Sequence, residues 1–153
     1  MEKYSYRGFA GLIIRVGYEG EYLTSLERVG EAGEDQPSEL TERVFAELGE
    51  YFAGKRKEFD IPYKVDGTEF QKKVWRALCD IPYGETRSYR EIAGAVGSPK
   101  AFRAVGGANH VNRICVIIPC HRVVNADGGL GGYGGGLDMK KILLKIESEN
   151  KNG

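Results

Sequence analysis

The chain has 153 residues but only two histidines, three cysteines and one tryptophan. So few soft ligands, none of them in paired His/Cys spacing, argue against a zinc site. The odd number of cysteines argues against a disulfide framework. No apolar run approaches the roughly 18 residues of a membrane span. The opening Met1-Glu2-Lys3-Tyr4-Ser5-Tyr6-Arg7 has no apolar core of the secretory kind. These absences lead to the expectation of a cytoplasmic protein with no metal, no cofactor and no membrane partner. Net charge is missing too, with 22 Lys/Arg against 22 Asp/Glu, but the balance is uneven along the chain. Residues 1–64 hold 9 Lys/Arg and 13 Asp/Glu, and residues 65–153 hold 13 and 9. The basic excess in the second part fits contact with a polyanion.

What is present divides at the stretch Ile61-Pro62-Tyr63-Lys64-Val65-Asp66-Gly67, which reads as a linker, so that residues 1–64 and 65–153 form two domains. In the first, apolar-rich runs flank Gly17-Tyr18-Glu19-Gly20, the pattern of strand, turn and strand. Ser38 then caps a helix whose apolar residues Leu40, Val44, Phe45, Leu48, Tyr51 and Phe52 recur at helical spacing. In the second, Thr68 caps a helix bearing Phe70, Val74, Trp75 and Leu78, and Ser88 caps a short one from Tyr89 to Val96. Gly97-Ser98-Pro99 turns the chain, with Ser98 as cap, into another helix from Lys100 to Ala108. Helix, tight turn and helix is the outline of a helix-turn-helix. The apolar run Ile114-Cys115-Val116-Ile117-Ile118 predicts a short strand, a glycine-rich loop follows from Asn125 to Gly136, and a last helix from Leu137 to Glu149 shows an apolar face of Leu137, Ile142, Leu143 and Ile146.

The candidate reactive group is Cys120, delivered at the end of that run behind Pro119. A thiol attacks as thiolate, and a free thiol with a pKa of about 8.5 is mostly protonated at neutral pH, so a base must assist. His121 is adjacent, but neighbours in an extended segment point to opposite faces. A turn or a water bridge is therefore needed to join the two. Cys115, five residues earlier, is read as a buried structural thiol.

The stretch Asn112-(x)5-Ile118-Pro119-Cys120-His121-Arg122-Val123 resembles the active-site signature of the O6-alkylguanine-DNA alkyltransferases. So do Gly67-Thr68-(x)-Phe70-Gln71-(x)2-Val74-Trp75, Ile81-Pro82-Tyr83-Gly84-Glu85-Thr86, Ser88-Tyr89, Pro99-Lys100-Ala101-(x)-Arg103-Ala104-Val105-Gly106 and the Tyr133-(x)2-Gly136-Leu137 loop. The likeness covers nearly all of residues 62–153, whereas the first 60 match mainly at Tyr51-Phe52-Ala53-Gly54.

The resemblance implies an α+β protein: a small N-terminal α/β domain with a short antiparallel sheet, then a mainly helical C-terminal domain with a winged-helix-like helix-turn-helix. It implies a monomer that binds double-stranded DNA containing O6-alkylguanine through the minor groove. The damaged base is flipped out and its alkyl group passes irreversibly to Cys120. Position by position, His121 would take the thiol proton through an ordered water and Glu147 would orient His121. Asn112 would be the hinge to the reactive segment, and Tyr89 would donate to the departing guanine. Arg103 would enter the stack, with Ala104 and Gly106 allowing close approach to the groove. Pro119, Tyr133, Gly134 and Gly135 would wall the pocket. The sequence departs from the family in having Arg113 where proline is common, Gly134 where some relatives have serine, and no Cys or His before Cys79 to hold the zinc of some members. The alternatives weighed beside this are an alkylguanine-DNA binding protein without transfer, a Cys-His thiol hydrolase using Cys120, His121 and Glu147, and a helix-turn-helix regulator with a redox-sensitive cysteine.

Overall fold

A computed structural model describes all residues, Met1–Gly153. The chain divides into two compact units, Met1–Val65 and Asp66–Gly153.

The first unit is an antiparallel meander, β1 (Lys3–Phe9), β2 (Leu12–Glu19) and β3 (Tyr22–Val29), with the helix α1 (Glu39–Phe52) packed on it. Two strands were expected here. β1 adds a third, joined to β2 by Ala10-Gly11, both at positive φ as a primed hairpin turn requires. Gly17-Tyr18-Glu19 belongs to β2 rather than to a turn, and the register shifts at Gly17/Tyr18. Ile14, Val16, Leu23 and Leu26 meet Val44, Phe45, Leu48 and Tyr51 of α1 in the core, all at most 2% exposed. Ser38 and Thr41 exchange side-chain hydrogen bonds with each other's backbone N–H, forming a capping box at the helix start. Part of the expected linker is tied down: Leu23 N–H donates to Pro62 O at 3.0 Å and Lys64 N–H to Leu23 O at 2.9 Å.

The second unit holds α2 (Glu69–Cys79), β4 (Arg87–Ser88), α3 (Tyr89–Ala95), α4 (Phe102–His110), a 3-10 turn (Cys120–Arg122), β5 (Val123–Val124) and α5 (Leu137–Asn150). Thr68 and Ser88 cap α2 and α3 as the sequence suggests. α4 starts later than expected, at Phe102, and no side chain caps it. Residues 98–101 form a turn closed by Ala101 N–H to Ser98 O at 2.8 Å, so Ser98 contributes its carbonyl instead of a helix cap. α2, α3 and α4 pack on one another. The Trp75 indole donates to Ala108 O at 2.9 Å, pinning α4 to α2.

Two further expectations are corrected. The run Ile114–Ile118 is a buried turn, not a strand. Ile117 N–H bonds Cys115 O at 2.8 Å and Ile118 N–H bonds Ile114 O at 3.0 Å. Val116 sits at φ 71°, unusual for a β-branched residue. A short apolar run reports burial, and burial serves a turn as well as a strand. Along α5 the buried residues are Met139, Lys140, Leu143 and Glu147, whereas Leu137 is 49% exposed. Its inward face therefore carries a cation and an anion.

β4 and β5 pair in parallel, Arg87 with Val123 and Ser88 with Val124. This two-residue ladder sets the first residue of α3, Tyr89, beside the segment that leaves Cys120.

Candidate active site

Cys120 opens the 3-10 turn with Pro119 as its N-cap, and its backbone N–H donates to Ile118 O at 2.8 Å. Cys120 and His121 are consecutive residues of a tight turn and not of an extended segment. Asn112, just beyond α4, fixes the segment. Its side-chain N–H groups reach Ile118 O at 3.0 Å and Cys120 Sγ at 3.3 Å, and its Oδ1 accepts from Ile114 N–H at 3.0 Å. One buried amide thus holds the entering turn and touches the sulfur. The hydrogen bond from the Cys115 side chain holds the Cys120 thiol below its ordinary range, and the Asn112 amide and the Lys140 ammonium act with it against the opposing effect of burial.

Behind Cys120 lies a buried charge network. His121 is fully buried, and its Nε2 lies 2.6 Å from Glu147 Oε2. Arg122 donates to Glu147 from Nε at 2.7 Å and from Nη2 at 3.1 Å, and to Ile81 O from Nη1 at 2.7 Å. Gly84 N–H adds a bond to Glu147 Oε1 at 3.4 Å. Burial pushes the Glu147 carboxyl up, but the hydrogen bonds and charges of His121 and Arg122 outweigh it and hold it at about 2. Glu147 is therefore an anion. Burial chiefly lowers the His121 pKa, against the pull of Glu147, so the imidazole is neutral at physiological pH. A neutral imidazole facing a carboxylate keeps its proton on Nε2, which leaves Nδ1 as an acceptor. Nδ1 is buried and has no protein partner. The assembly is a base held in one tautomer by a third group.

On its open side Cys120 faces a cavity of about 450 Å³ lined by Tyr89, Gly106, Asn109, His110, Cys120, Asn125, Gly132, Tyr133 and Gly134. Burial chiefly raises the Tyr89 pKa, and the Cys120 charge adds to the rise, while a hydrogen bond to the Gly132 backbone opposes it. Tyr89 is a neutral phenol able to donate. Glycine is required at 131: φ is 71°, and an added Cβ would lie 2.8 Å from the Tyr89 hydroxyl oxygen. At Gly135 a Cβ would lie 2.8 Å from Met139 Sδ and 2.9 Å from the Tyr133 ring.

Of the residues singled out in the sequence, Cys120, Tyr89, Gly106, Tyr133 and Gly134 line the cavity. Asn112 touches Cys120 Sγ, and His121 and Glu147 pair with each other in the buried interior. Pro119 and Gly135 shape the backbone next to it without lining it. Arg103 and Ala104 are exposed on α4 and stand apart from it. Asn109 and His110 line the cavity unanticipated, and Asn125 and Gly132 join them from the glycine-rich loop. Arg122 belongs to the Pro119–Val123 motif, which by itself assigns it no role. No motif in the sequence marks Lys140. It is fully buried, and its Nζ donates to Val123 O at 2.7 Å, to Gly132 O at 3.1 Å and to Leu130 O. The spacing of Lys140, Leu143 and Glu147 on one face of α5 was the available signal. No cluster of His, Cys, Asp and Glu could hold a metal ion, and no helix is long and apolar enough to cross a membrane.

Comparison with known proteins gives consistent results. Residues 69–149 match the family described as 6-O-methylguanine DNA methyltransferase, DNA binding domain. The chain is 58% identical over 104 residues to a methylated-DNA–protein-cysteine methyltransferase of Methanosarcina barkeri, covering 68% of this chain and 66% of the relative, so the match spans about two thirds of that protein. It is 54% identical over 131 residues to the protein of the same name from Mycolicibacterium paratuberculosis, covering 82% and 79%. The crystal structure of Mycobacterium tuberculosis O6-methylguanine methyltransferase superposes with a TM-score of 0.89 at 42% identity, over 98% of this chain and 94% of that one. The same mycobacterial protein in complex with DNA gives a TM-score of 0.88 at 42% identity, over 96% and 93%.

Proposed function

This chain belongs to the 6-O-methylguanine DNA methyltransferase family, and we propose that it repairs DNA by direct reversal, moving the alkyl group of O6-alkylguanine to its own Cys120. The observation that carries the reading is Cys120 itself. Its thiol is biased toward thiolate, faces a cavity of about 450 Å³ and is backed by the His121–Glu147 pair.

Transfer is a displacement at the alkyl carbon. The Cys120 sulfur–carbon bond forms as the carbon–O6 bond breaks, and guanine leaves with the electron pair and must gain a proton. His121, neutral and with Nδ1 free to accept, takes the thiol proton through a bridging water. Glu147 holds the tautomer and offsets the imidazolium that results. Asn112 keeps the sulfur in register. Tyr89 stands across the cavity, where its hydroxyl donates to the departing base. Gly132, Tyr133 and Gly134 wall the cavity, with Gly135 next to them, so backbone N–H groups approach the base edge without side chains intervening. Pro119 fixes the start of the turn. The thioether is stable, so each molecule acts once.

The cavity holds a base only if that base leaves the duplex. Extrusion costs a few kcal/mol, least where pairing is already weakened. The exposed Arg103 enters the stack to fill the vacated place, and the small residues Ala104 and Gly106 let α4, read as the second helix of a helix-turn-helix, lie in the minor groove. Residues 65–153 are the DNA-binding and acceptor domain and residues 1–64 a separate small domain. The working species is a cytoplasmic monomer that uses no cofactor. Neither binding without transfer nor thiol hydrolysis is favoured, since an activated Cys120 is present and relatives across most of the chain bear methyltransferase names.

The test is to incubate the protein with duplex DNA carrying one O6-methylguanine and measure intact mass. One methyl group gained per molecule, on the peptide holding Cys120 and absent in Cys120→Ser, supports transfer. Repeated turnover, or damage persisting with no mass gain, overturns it.

A further inference from the structure

A lysine buried without a carboxylate is costly unless something compensates it. The ammonium of Lys140 has no exposure and no acidic partner; its hydrogen bonds go to the carbonyls of Val123, Leu130 and Gly132. Two of those carbonyls belong to the glycine-rich loop and one to β5, three residues beyond Cys120. Gly132 lines the cavity, and its backbone also meets the Tyr89 hydroxyl. Lys140 therefore ties the cavity wall to the strand that follows the nucleophile. The Cys120 charge favours the ammonium, and the ammonium in turn favours the thiolate.

We infer that Lys140 is a positioning residue that couples the cavity wall to the charge on Cys120. While Cys120 is a thiolate, the ammonium is retained and the 130–132 wall is held in place. After transfer the sulfur is a neutral thioether and the counter-charge is gone. The ammonium then gives up its proton more readily, its bonds to Leu130 and Gly132 weaken, and the wall loosens around the spent acceptor. This rests on the transfer reading above.

The other titratable groups nearby do not supply the same charge. His121 on the 3-10 turn is neutral and also senses Lys140, Tyr89 at the start of α3 is a neutral phenol, and Glu147 on α5 is engaged by His121 and Arg122. Burial lowers the Lys140 pKa to about 8, with Cys120 partly restoring it. The tie should therefore fail within an accessible pH range.

The test uses free O6-benzylguanine, which needs the cavity but no DNA, and follows the rate of Cys120 alkylation from pH 6 to 10. The wild-type rate should fall above about pH 8. Lys140→Met should react at least tenfold more slowly at pH 7 and lack that fall. Hydrogen exchange of the wild-type protein gives a reading that needs no variant: amides 130–132 should lose protection above pH 8, and at pH 7.5 once Cys120 is alkylated. An unchanged rate and profile in Lys140→Met, or unchanged protection at 130–132 after alkylation, would overturn the inference. A wild-type protein that gains no alkyl group would instead defeat the transfer reading.

Discussion

Glu147 accepts the Nε2 proton of His121 at 2.6 Å while a two-pronged Arg122 grips the same carboxylate. That relationship fixes both the charge of Glu147 and the tautomer of His121. Glu147→Gln should slow alkyl transfer by a factor of ten to a hundred, because the amide neither holds the tautomer nor offsets the imidazolium. It should also lower stability at pH 7 by about 3 kcal/mol, since Arg122 is left buried without its anion. The folded carboxyl titrates near 2, below its ordinary value of 4.5. A depressed acid stabilises the fold above its unfolded pKa and loses that contribution as pH falls through the folded one. Denaturant midpoints of wild type and variant should therefore differ at pH 6 and converge as pH drops from about 4.5 toward 2; a gap that persists at the acid end would contradict this network.

Asn112→Ala removes three hydrogen bonds at once, one of them to Cys120 Sγ. The buried groups left behind cost roughly 1–3 kcal/mol. The Cys120 thiol should titrate higher, so the pH at which alkylation by free O6-benzylguanine reaches half its maximum should rise. A loss of stability with no change in that midpoint would mean that Asn112 only braces the turn.

Arg103 is exposed on α4 and does not line the cavity. Arg103→Ala should slow repair of O6-methylguanine in duplex DNA at least tenfold and leave reaction with free O6-benzylguanine within about twofold. Equal losses on both substrates would remove Arg103 from base extrusion.

Gly131→Ala adds one methyl group where the backbone is left-handed and the nearest atom is the Tyr89 hydroxyl. The loop must shift or the tyrosine must yield. Transfer should slow by tenfold or more, and Tyr89→Phe in the same background should cost little further. Additive losses from the two changes would show that they act separately.

Much of this was legible in the chain because much of it is local. Ser38, Thr68 and Ser88 announce helix starts through contacts within three residues, and the run from Pro119 to Val123 carries its own resemblance. Position in space was less accessible. The run ending in Ile118 is apolar because it is buried, and apolarity does not tell a strand from a buried turn with Val116 at positive φ. In α5 the periodicity finds Leu143 but not the charged part of the buried face. Leucines and isoleucines mark only part of its inward face, because Lys140 and Glu147 take two of the buried places by meeting partners 10 and 26 residues away in sequence, Leu130 and His121. Charges pointing inward leave no trace in hydrophobic periodicity. Ser98 failed as a cap because the chain spends one more turn before α4 begins.

The three thiols differ in how open they are: Cys79 is exposed, while Cys115 and Cys120 are buried. If Cys120 is consumed by one transfer, as proposed above, idle chemistry is as damaging as a missed lesion. The fold leaves Cys120 only 5% exposed at the cavity, reachable by a flat base that fits there but slow for a bulky reagent arriving from bulk water. A native-state thiol titration should accordingly read one quick equivalent and two reluctant ones, and the quick one belongs to Cys79. What is protected in Cys120 is its shelf life.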